Sequence, residues 1–500
     1  MDIDYVGLLP ELILAGTVIA VLLADLTPVP KHWTAALGLT GLFATAIPVL
    51  WLGLVDDAGP RAMFDGSYVV DEFALVMKGV FLIAGFVTLL LSVAYLESDR
   101  RYYEGEFYFL LLSSVAGAVV MASSRDLLTL FIGLELVTAP TFMLAGWRKG
   151  DIRSNEAALK FFVIGVASAA ILAFGMSLVY GVTGHQTFAG IRDAIAAGTF
   201  DDAEPVFLIG VIFILLGFGF KVAAVPFHSW APDTYQGAPT PVTAYLSVSS
   251  KAAGFVGLLL VCYLAFGEVR DIWGPAIWVI AVLSMTVGNL GALRQTNLVR
   301  LLGYSSIAQG GFILVPFAMA FSLDEAGLEE AFFATVTYLI IYLFMNVGAF
   351  AAVIAGSRKV GSAEMEDWAG LGSYAPALGG LMVLFFFALA GIPPLSGWFA
   401  KFVMFRAVLN DPGDVWAVVL AAIAAVNAVI AFYYYARVSK AVWFDPVPAA
   451  ISPQEAAERR VAPALVLALG VSALVVLAMG FFPGLASFFG EAAALLAAAP

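Results

Sequence analysis

The sequence predicts an all-α membrane protein with about fourteen transmembrane helices and no long soluble domain. Of its 500 residues, 62% are hydrophobic and only 12% are charged, and the mean hydropathy is +0.96. Apolar segments recur along the whole chain, and about 20 apolar residues are enough to cross a bilayer. This composition excludes an ordinary soluble enzyme and predicts a protein surrounded mainly by lipid.

Each span is predicted from an apolar run between polar or proline-containing connections. The candidate spans are residues 8–26, 33–54, 73–95, 107–123, 126–147, 157–181, 206–225, 240–265, 272–293, 299–321, 331–356, 377–408, 415–440 and 461–490. The N-terminal sequence MDIDYVG is acidic and lacks the basic segment of a cleaved signal peptide, so we expect the first span to be retained.

Lysine and arginine positions predict the orientation. If the fourteen spans alternate in direction, fourteen of the 24 basic residues fall in loops on one side and five in loops on the other. Basic loops face the cytoplasm, so both termini are expected on the outer side of the cell membrane. The fourteen residues are Lys31, Arg100, Arg101, Arg148, Lys149, Arg153, Arg294, Arg300, Arg358, Lys359, Arg437, Lys440, Arg459 and Arg460.

Cysteine, histidine and charge usage limit the ligands of this chain. Cys262 is its only cysteine, so neither an internal disulfide nor a cysteine-held cluster is possible. The three histidines are far apart in sequence, and we expect no metal or cofactor to be bound by this chain. The net charge of −13, without a basic patch, argues against nucleic acid as a partner.

Two apolar segments are interrupted by proline. The first interruption is PFHSW, from Pro226 to Trp230, and the second is PLSGW, from Pro394 to Trp398. Proline removes a backbone donor and clashes with the preceding turn, so each helix should break there. The breaks fall in predicted spans seven and twelve, five spans apart, and an odd offset implies opposite orientations. The pattern indicates two inverted repeats with broken helices, an architecture known in transporters.

Four ionisable residues lie well inside predicted spans: Glu135, Lys221, Lys251 and Lys401. A charge at the bilayer centre costs about 2.5–3.5 kcal/mol on insertion scales, so such residues are usually functional. We predict a proton relay in which Glu135 pairs with a buried lysine and tunes its proton affinity. The alternative is a set of static charges, with Glu135 as a neutral, hydrogen-bonded acid.

Further polar residues admit two interpretations each. Lys160 either extends to the cytoplasmic surface or joins the relay, and His228 either passes protons or only stabilises the first break. Near the ends of their helices, Lys78 is expected to extend to the surface and Glu11 to have a structural role. A third group could hold a water chain or join helices by hydrogen bonds: Tyr304, Ser305, Ser306, Gln309 and Asn346.

Four motifs resemble a known family, the antiporter-like membrane subunits of respiratory complex I. They are GLEL around Glu135, FKVAAVPFHSWAPDTYQGAPTPVTAYLSVSSKAAGF at 220–255, LLGYSSIAQGGF at 301–312 and AGIPPLSGWFAKF at 390–402. The run DTYQGAPTPVTAYLSVSSK is specific to the N branch of this family, which is equivalent to mitochondrial subunit 2. The lysine at 401, where the M branch has glutamate, separates the chain further from that branch.

The resemblance implies an organisation of three N-terminal helices (1–100), a first five-helix repeat (101–268), a second inverted repeat (269–440) and a C-terminal helix (441–500). It also implies a role for each relay residue. Glu135 would be the partner of Lys221, His228 and Lys251 would carry the proton laterally, Lys401 would pass it outward, and Lys160 matches a further family lysine.

As a family member, the chain would be a proton-translocating subunit of NADH:quinone oxidoreductase without a redox centre of its own. NADH, FMN, iron–sulfur clusters and quinone would be used elsewhere in the complex. Expected partners are the antiporter-like subunit M, the small subunits K and J, and the hydrophilic arm. One departure is Gln309, where many relatives have histidine; since glutamine cannot relay a proton, water or Tyr304 would have to serve.

Three rival functions remain at this stage. A subunit of a multi-subunit cation/proton antiporter would share the fold and the lysine relay. A non-pumping structural subunit of the same complex would keep the fold without the relay. A stand-alone transporter of organic solutes is disfavoured, because the buried lysines do not form the varied polar pocket that solute recognition requires.

Overall fold

The computed structural model describes residues 3–28, 30, 32–56, 58–96, 105–199, 203–410 and 413–494. In this part the chain forms a helical bundle with one antiparallel hairpin of strands β1 (Arg61–Met63) and β2 (Tyr68–Val70). The helices are α1 (Leu9–Asp25), α2 (His32–Leu54), α3 (Glu72–Leu96), α4 (Gly105–Ser123), α5 (Leu127–Ala145), α6 (Ile152–Thr183), α7 (Phe188–Ala196), α8 (Glu204–Lys221), α9 (Trp230–Gly237), α10 (Thr240–Tyr245), α11 (Lys251–Leu260), α12 (Arg270–Leu293), α13 (Leu298–Ala318), α14 (Glu325–Val360), α15 (Leu371–Tyr374), α16 (Pro376–Ala390), α17 (Ser396–Val408), α18 (Val415–Phe444), α19 (Pro453–Glu458), α20 (Pro463–Phe481) and α21 (Gly484–Ala494).

The multi-span, all-α architecture is confirmed. Within the described residues, twelve helical segments are long and apolar enough to cross a membrane. The other two predicted spans correspond to α1, with 17 residues, and to the shorter pair α16 and α17, with 15 and 13 residues. The total of fourteen crossings is compatible with these elements and remains a prediction.

Both predicted helix breaks are present. Helix α8 ends at Lys221, residues 222–229 form turns, and the short helix α9 follows before the chain re-enters the bundle at Thr240. The second break separates α16, which ends at Ala390, from α17, which begins at Ser396. Each helix ends before its proline, because the proline ring would collide with the carbonyl of the preceding turn.

Helix α14 occupies the centre of the bundle. In the most apolar 18-residue stretch of α14 every residue is buried, whereas only 33% of the residues are buried in the corresponding stretches of α6 and α18. The polar side chains of α14 therefore face protein. Asn346, for example, donates a 2.8 Å hydrogen bond to Ser247 Oγ. Helices α6 and α18 expose apolar side chains, as expected for surfaces that meet lipid or another subunit.

Several predicted cytoplasmic loops meet at one end of the molecule, which we call the arginine-rich end. Arg148 and Arg153 line a cavity there with Asn297 and Ser357, and Arg437 donates to the backbone of Gln295 at 2.6 Å. Lys31, Arg100 and Arg101, which contributed to the predicted orientation, lie outside the described residues. The compartment that this end faces remains a prediction.

Candidate functional site

Lys221 and Glu135 form the first ion pair of the site. Lys221 is the last residue of α8, where the unpaired carbonyls of a helix terminus favour a cation. Its Nζ lies 3.9 Å from Glu135 Oε1 and donates a hydrogen bond to Thr138, one turn further along α5. Glu135 Oε1 has no hydrogen-bond partner among the described residues. The two groups are thus close enough to attract each other, but Thr138 takes the direct hydrogen bond.

Lys251 is the first residue of α11, the helix that packs against Lys221. It is 1% exposed and donates to Ser306 twice, to the backbone oxygen at 2.5 Å and to Oγ at 2.7 Å. A π-helical turn, Leu246–Ser250, immediately precedes Lys251, and such turns are frequent at functional positions. The Tyr342 hydroxyl donates to the same Ser306 Oγ at 3.0 Å, so the side chains of three helices meet in one polar cluster.

Two glycines, Gly254 and Gly310, allow the helices around Lys221 and Lys251 to pack closely. A methyl group placed on Gly254 would lie 2.9 Å from Lys221 Cβ, which means that α11 passes directly against Lys221. A methyl group on Gly310 would lie 3.4 Å from the Val222 oxygen and 3.6 Å from Lys251 Nζ. The opened backbone after α8 therefore faces Lys251 across Gly310.

From Ser306 the polar groups continue along α13. Ser305 Oγ and Tyr435 OH are 2.5 Å apart, and Gln309 Nε2 lies 3.5 Å from the same hydroxyl. Gln309 also donates to the Leu389 oxygen at 2.9 Å and accepts from Tyr338 at 2.8 Å. The amide of Gln309 thus reaches the C-terminal end of α16, next to the second break.

Lys401 lies at the far end of this row. Its Nζ donates to the Ala390 oxygen, the last carbonyl of α16, at 2.6 Å. Gly391 follows with φ +90°, and a methyl group there would lie 2.7 Å from Lys401 Cδ. Only glycine fits this left-handed position beside the lysine stem. Both lysines therefore lie at the carboxyl end of the helix that precedes a break. Lys221 is the last residue of α8, whereas Lys401 belongs to α17 and reaches the end of α16.

Lys160 lies apart from this row. Its side chain is 42% exposed at the arginine-rich end and forms 2.7 Å ion pairs with Glu156 and Asp233. Asp233, on α9, also accepts from Arg300 at 2.7 Å. Partial burial disfavours the charge of Asp233, but the hydrogen bonds from Lys160 and Arg300 outweigh it and hold its pKa below the ordinary value.

His228 and Tyr304 also lie outside the row. His228 is half-buried in the first break, and no hydrogen bond or ion pair joins it to Lys221 or Lys251 among the described residues. Tyr304 is partly exposed, and its ring lies 5.9 Å from the Arg300 guanidinium. Tyr435, which the sequence analysis did not single out, occupies the place beside Gln309. In the sequence it is one of three consecutive tyrosines, 433–435, and nothing there distinguishes it from the other two.

The sequence interpretation of Lys78 is wrong. Lys78 does not extend to the surface; its side chain is 0% exposed and pairs with Glu11 Oε1 at 2.6 Å. The Tyr68 hydroxyl donates to the same carboxylate oxygen, also at 2.6 Å. The hairpin folds Tyr68 over the ends of α1 and α3 and covers both charges. Because that contact joins residues 57 positions apart, no local pattern indicates it.

Comparisons with known proteins show the family of this chain. Residues 124–430 match the family described as NADH:quinone oxidoreductase/Mrp antiporter, TM. NADH-quinone oxidoreductase subunit N 1 of Koribacter versatilis is 38% identical over 492 residues, 96% of this chain and 93% of that protein. A chain of respiratory complex I from Thermus thermophilus is similar with TM-score 0.75 and 29% identity, over 97% of this chain and 99% of that one.

A chain of the Mrp complex from Dietzia sp. has TM-score 0.81 at 20% identity, over 98% of this chain and 97% of that chain, and shows a shared fold. The fold and the interrupted helices thus define a class, the multi-span membrane subunits of antiporter type. Within that class, the chain belongs to the family of NADH-quinone oxidoreductase subunit N.

Proposed function

We propose that this chain translocates protons within an NADH-quinone oxidoreductase, through a relay that connects Glu135 and Lys221 with Lys251 and Lys401. One observation carries the proposal: three lysines, only 1% to 7% exposed, follow a row of buried hydroxyl, amide and carbonyl groups. Buried charges are costly, so three of them along one row of polar groups support proton transfer rather than a packing role.

The Glu135–Lys221 pair is the point where energy enters the relay. A nearby carboxylate stabilises the ammonium form of Lys221, whereas burial destabilises it. A movement that brings Glu135 closer makes Lys221 take up a proton, and a movement that separates the pair makes it release one. The present 3.9 Å separation, without a direct hydrogen bond, leaves room for both movements.

A proton exchanges between Lys221 and Lys251 and then passes along α13. Hydroxyl groups accept a proton on oxygen while giving up their own, so Ser306, Ser305 and Tyr435 can transmit it. The Gln309 amide cannot exchange protons in this way, and it serves to orient the hydroxyls of Tyr338 and Tyr435 on either side. Lys401 receives the proton at the second break and delivers it outward.

The work comes from electron transfer in other subunits. Moving one charge across the membrane costs about 2.3 kcal/mol per 100 mV. NADH, FMN, iron–sulfur clusters and quinone belong to the whole complex, and the chain contributes no redox centre. Its placement in the cell membrane, with both termini outside and the arginine-rich end in the cytoplasm, follows the distribution of basic loops.

Neighbouring membrane subunits complete the relay. The Glu135 side chain is 33% exposed on the surface of this chain, although α5 crosses the membrane. A carboxylate at that depth must be covered by protein or water. We assign this face to contact with the small subunits K and J, and the opposite end of the row to contact with subunit M. The hydrophilic arm supplies the energy for coupling. The two inverted five-helix repeats, 101–268 and 269–440, are part of this proposal.

The decisive experiment uses the whole complex in inside-out membrane vesicles. Lys221→Met and Glu135→Gln should lower the number of protons translocated per electron, while uncoupled NADH oxidation and assembly persist. Lys440→Met, at an ion pair whose lysine is 67% exposed, is the matched control. Unchanged proton translocation in both variants would exclude the relay. A purified particle without flavin and iron–sulfur absorbance, or one that exchanges sodium, would indicate an antiporter instead.

A further inference from the structure

Helix α9 stands between the relay and the arginine-rich end. It has eight residues, and non-helical segments flank it on both sides. Its outer contacts are polar: Asp233 binds Lys160 and Arg300, and Arg148 donates to the Gly237 oxygen at 2.7 Å. We call the Asp233 ion pairs with Lys160 and Arg300 the Asp233 clasp.

A polar cavity of about 410 Å³ lies beside α9 at this end. Gln236, Ala238 and Thr240 contribute to its wall, so it borders both the end of α9 and the start of the following span. The remaining wall is mostly polar and includes Arg148, Asp151, Arg153 and Asn297. Water from the arginine-rich side can therefore approach the buried row to within one short helix.

The inner face of α9 carries Tyr235, whose side chain is 0% exposed. Its hydroxyl lies next to Ser306, but the geometry falls short of a hydrogen bond, and the hydroxyl has no other partner among the described residues. Tyr342 lies nearby and binds the same serine. A small shift of α9 therefore completes a hydrogen bond between Tyr235 and Ser306.

We propose that α9 is the proton entrance of the relay and that Tyr235 is the group through which protons reach Ser306 and Lys251. The proposal rests on the proposed function. When α9 moves outward, a hydronium ion from the cavity gives a proton to the Tyr235 oxygen and becomes water, as the hydroxyl hydrogen passes to Ser306. Ser306 passes its own hydrogen to neutral Lys251, so Tyr235 and Ser306 are neutral before and after.

The Asp233 clasp holds the entrance closed. Part-exposed ion pairs contribute little each, so the clasp can open without unfolding α9. The apolar side of the helix remains anchored, because the Trp230 ring stacks on Phe161 with centroids 4.5 Å apart. The helix can thus pivot about Trp230 when Asp233 releases its partners.

Tyr235→Phe tests the transfer step in the whole complex, because it removes the hydroxyl and keeps the ring. We expect protons per electron to fall to the level of Lys221→Met, with assembly and uncoupled NADH oxidation retained. Tyr245→Phe is the matched control, since Tyr245 is equally buried but lies beside Ser114 and Ser249. If Lys221→Met lowers the ratio and Tyr235→Phe does not, the entrance is refuted and the relay stands. If neither lowers it, the relay itself is refuted.

Tyr235→Cys tests the clasp. A membrane-impermeant thiol reagent is applied to vesicles with the arginine-rich end outward, and modification of this chain is counted by mass spectrometry. Adding Asp233→Asn should speed labelling about tenfold, and Asp233→Glu should restore the slow rate. The parent with Cys262 alone gives the background. Equal rates in all backgrounds, or labelling from the opposite face only, would overturn the proposal.

Discussion

Lys221 Nζ lies 3.9 Å from Glu135 Oε1 and donates its hydrogen bond to Thr138 instead. Both acceptors belong to α5 and are three residues apart, so they occupy one face of that helix. Thr138 therefore competes with Glu135 for the ammonium group. This competition keeps the ion pair short of direct contact and makes its separation adjustable.

Thr138→Val should trap the pair. Without the hydroxyl, Lys221 is free to bind Glu135 directly, so its proton becomes harder to release and proton translocation slows several-fold. The rate of proton uptake per vesicle, at equal NADH oxidation capacity, measures the effect. Thr141→Val removes a hydroxyl that bonds only to the Thr138 backbone at 2.6 Å and should preserve the rate. Equal slowing by both variants would indicate a general effect on α5.

Gly254→Ala should disturb the relay more than Gly310→Ala. A methyl group at 254 would meet Lys221 Cβ at 2.9 Å, closer than side chains pack, whereas one at 310 finds ordinary contacts at 3.4 and 3.6 Å. We expect a clear loss of protons per electron for Gly254→Ala and a near-normal value for Gly310→Ala. The reverse order would contradict the placement of Lys221 against α11.

Tyr435→Phe should interrupt the row between Lys251 and Lys401. The Tyr435 hydroxyl connects Ser305 to Gln309, whereas Tyr433 on the same helix is 63% exposed, away from the row. We expect a reduced proton-to-electron ratio for Tyr435→Phe and an almost unchanged one for Tyr433→Phe. If the two variants behave alike, the path does not pass through Tyr435.

Lys78→Met should destabilise the subunit by about 3–5 kcal/mol, because it leaves the Glu11 carboxylate buried without its counter-charge. The double variant Glu11→Gln/Lys78→Met should recover much of the loss, since no buried charge remains. Thermal denaturation of the purified complex, together with the amount of this chain in membranes, measures both. A double variant as unstable as the single one would argue against the pair.

The Asp233 clasp should not respond to pH near neutrality. Hydrogen bonds from Lys160 and Arg300 hold the Asp233 pKa below its ordinary value, despite the opposing effect of burial. A depressed pKa means that the clasp is present above the ordinary carboxylate range and is lost only as pH falls through the lowered value. The labelling rate of Tyr235→Cys alone, divided by its rate in combination with Asp233→Asn, should therefore stay constant between about pH 6 and 8. A ratio that changes in this interval would contradict the assignment of the clasp to an ionised Asp233.

The predictable features were those that depend on one segment at a time. Apolar runs of sufficient length predicted the spans, and Pro226 and Pro394 predicted the two breaks, because both effects act within a few residues of the backbone. The improbable charges Glu135, Lys221, Lys251 and Lys401 indicated the site, since a charge in an apolar span is visible without knowing its neighbours.

Tertiary structure decided which of these groups meet. Thr138, Tyr435 and Tyr235 resemble ordinary span or break residues in the sequence, and only helix packing places their hydroxyls beside Lys221, Ser305 and Ser306. Lys160 and Lys78 show how far two similar local patterns can diverge: one side chain is 42% exposed and the other is fully buried.

The sequence by itself determined that the chain crosses the membrane repeatedly, where its helices break and which charges lie within the spans. The order of contacts along the buried row, the Asp233 clasp and the covered Glu11–Lys78 pair were decided by the fold alone. Apolar length and proline act locally, whereas the environment of a charge depends on residues distant in sequence that only packing brings into contact.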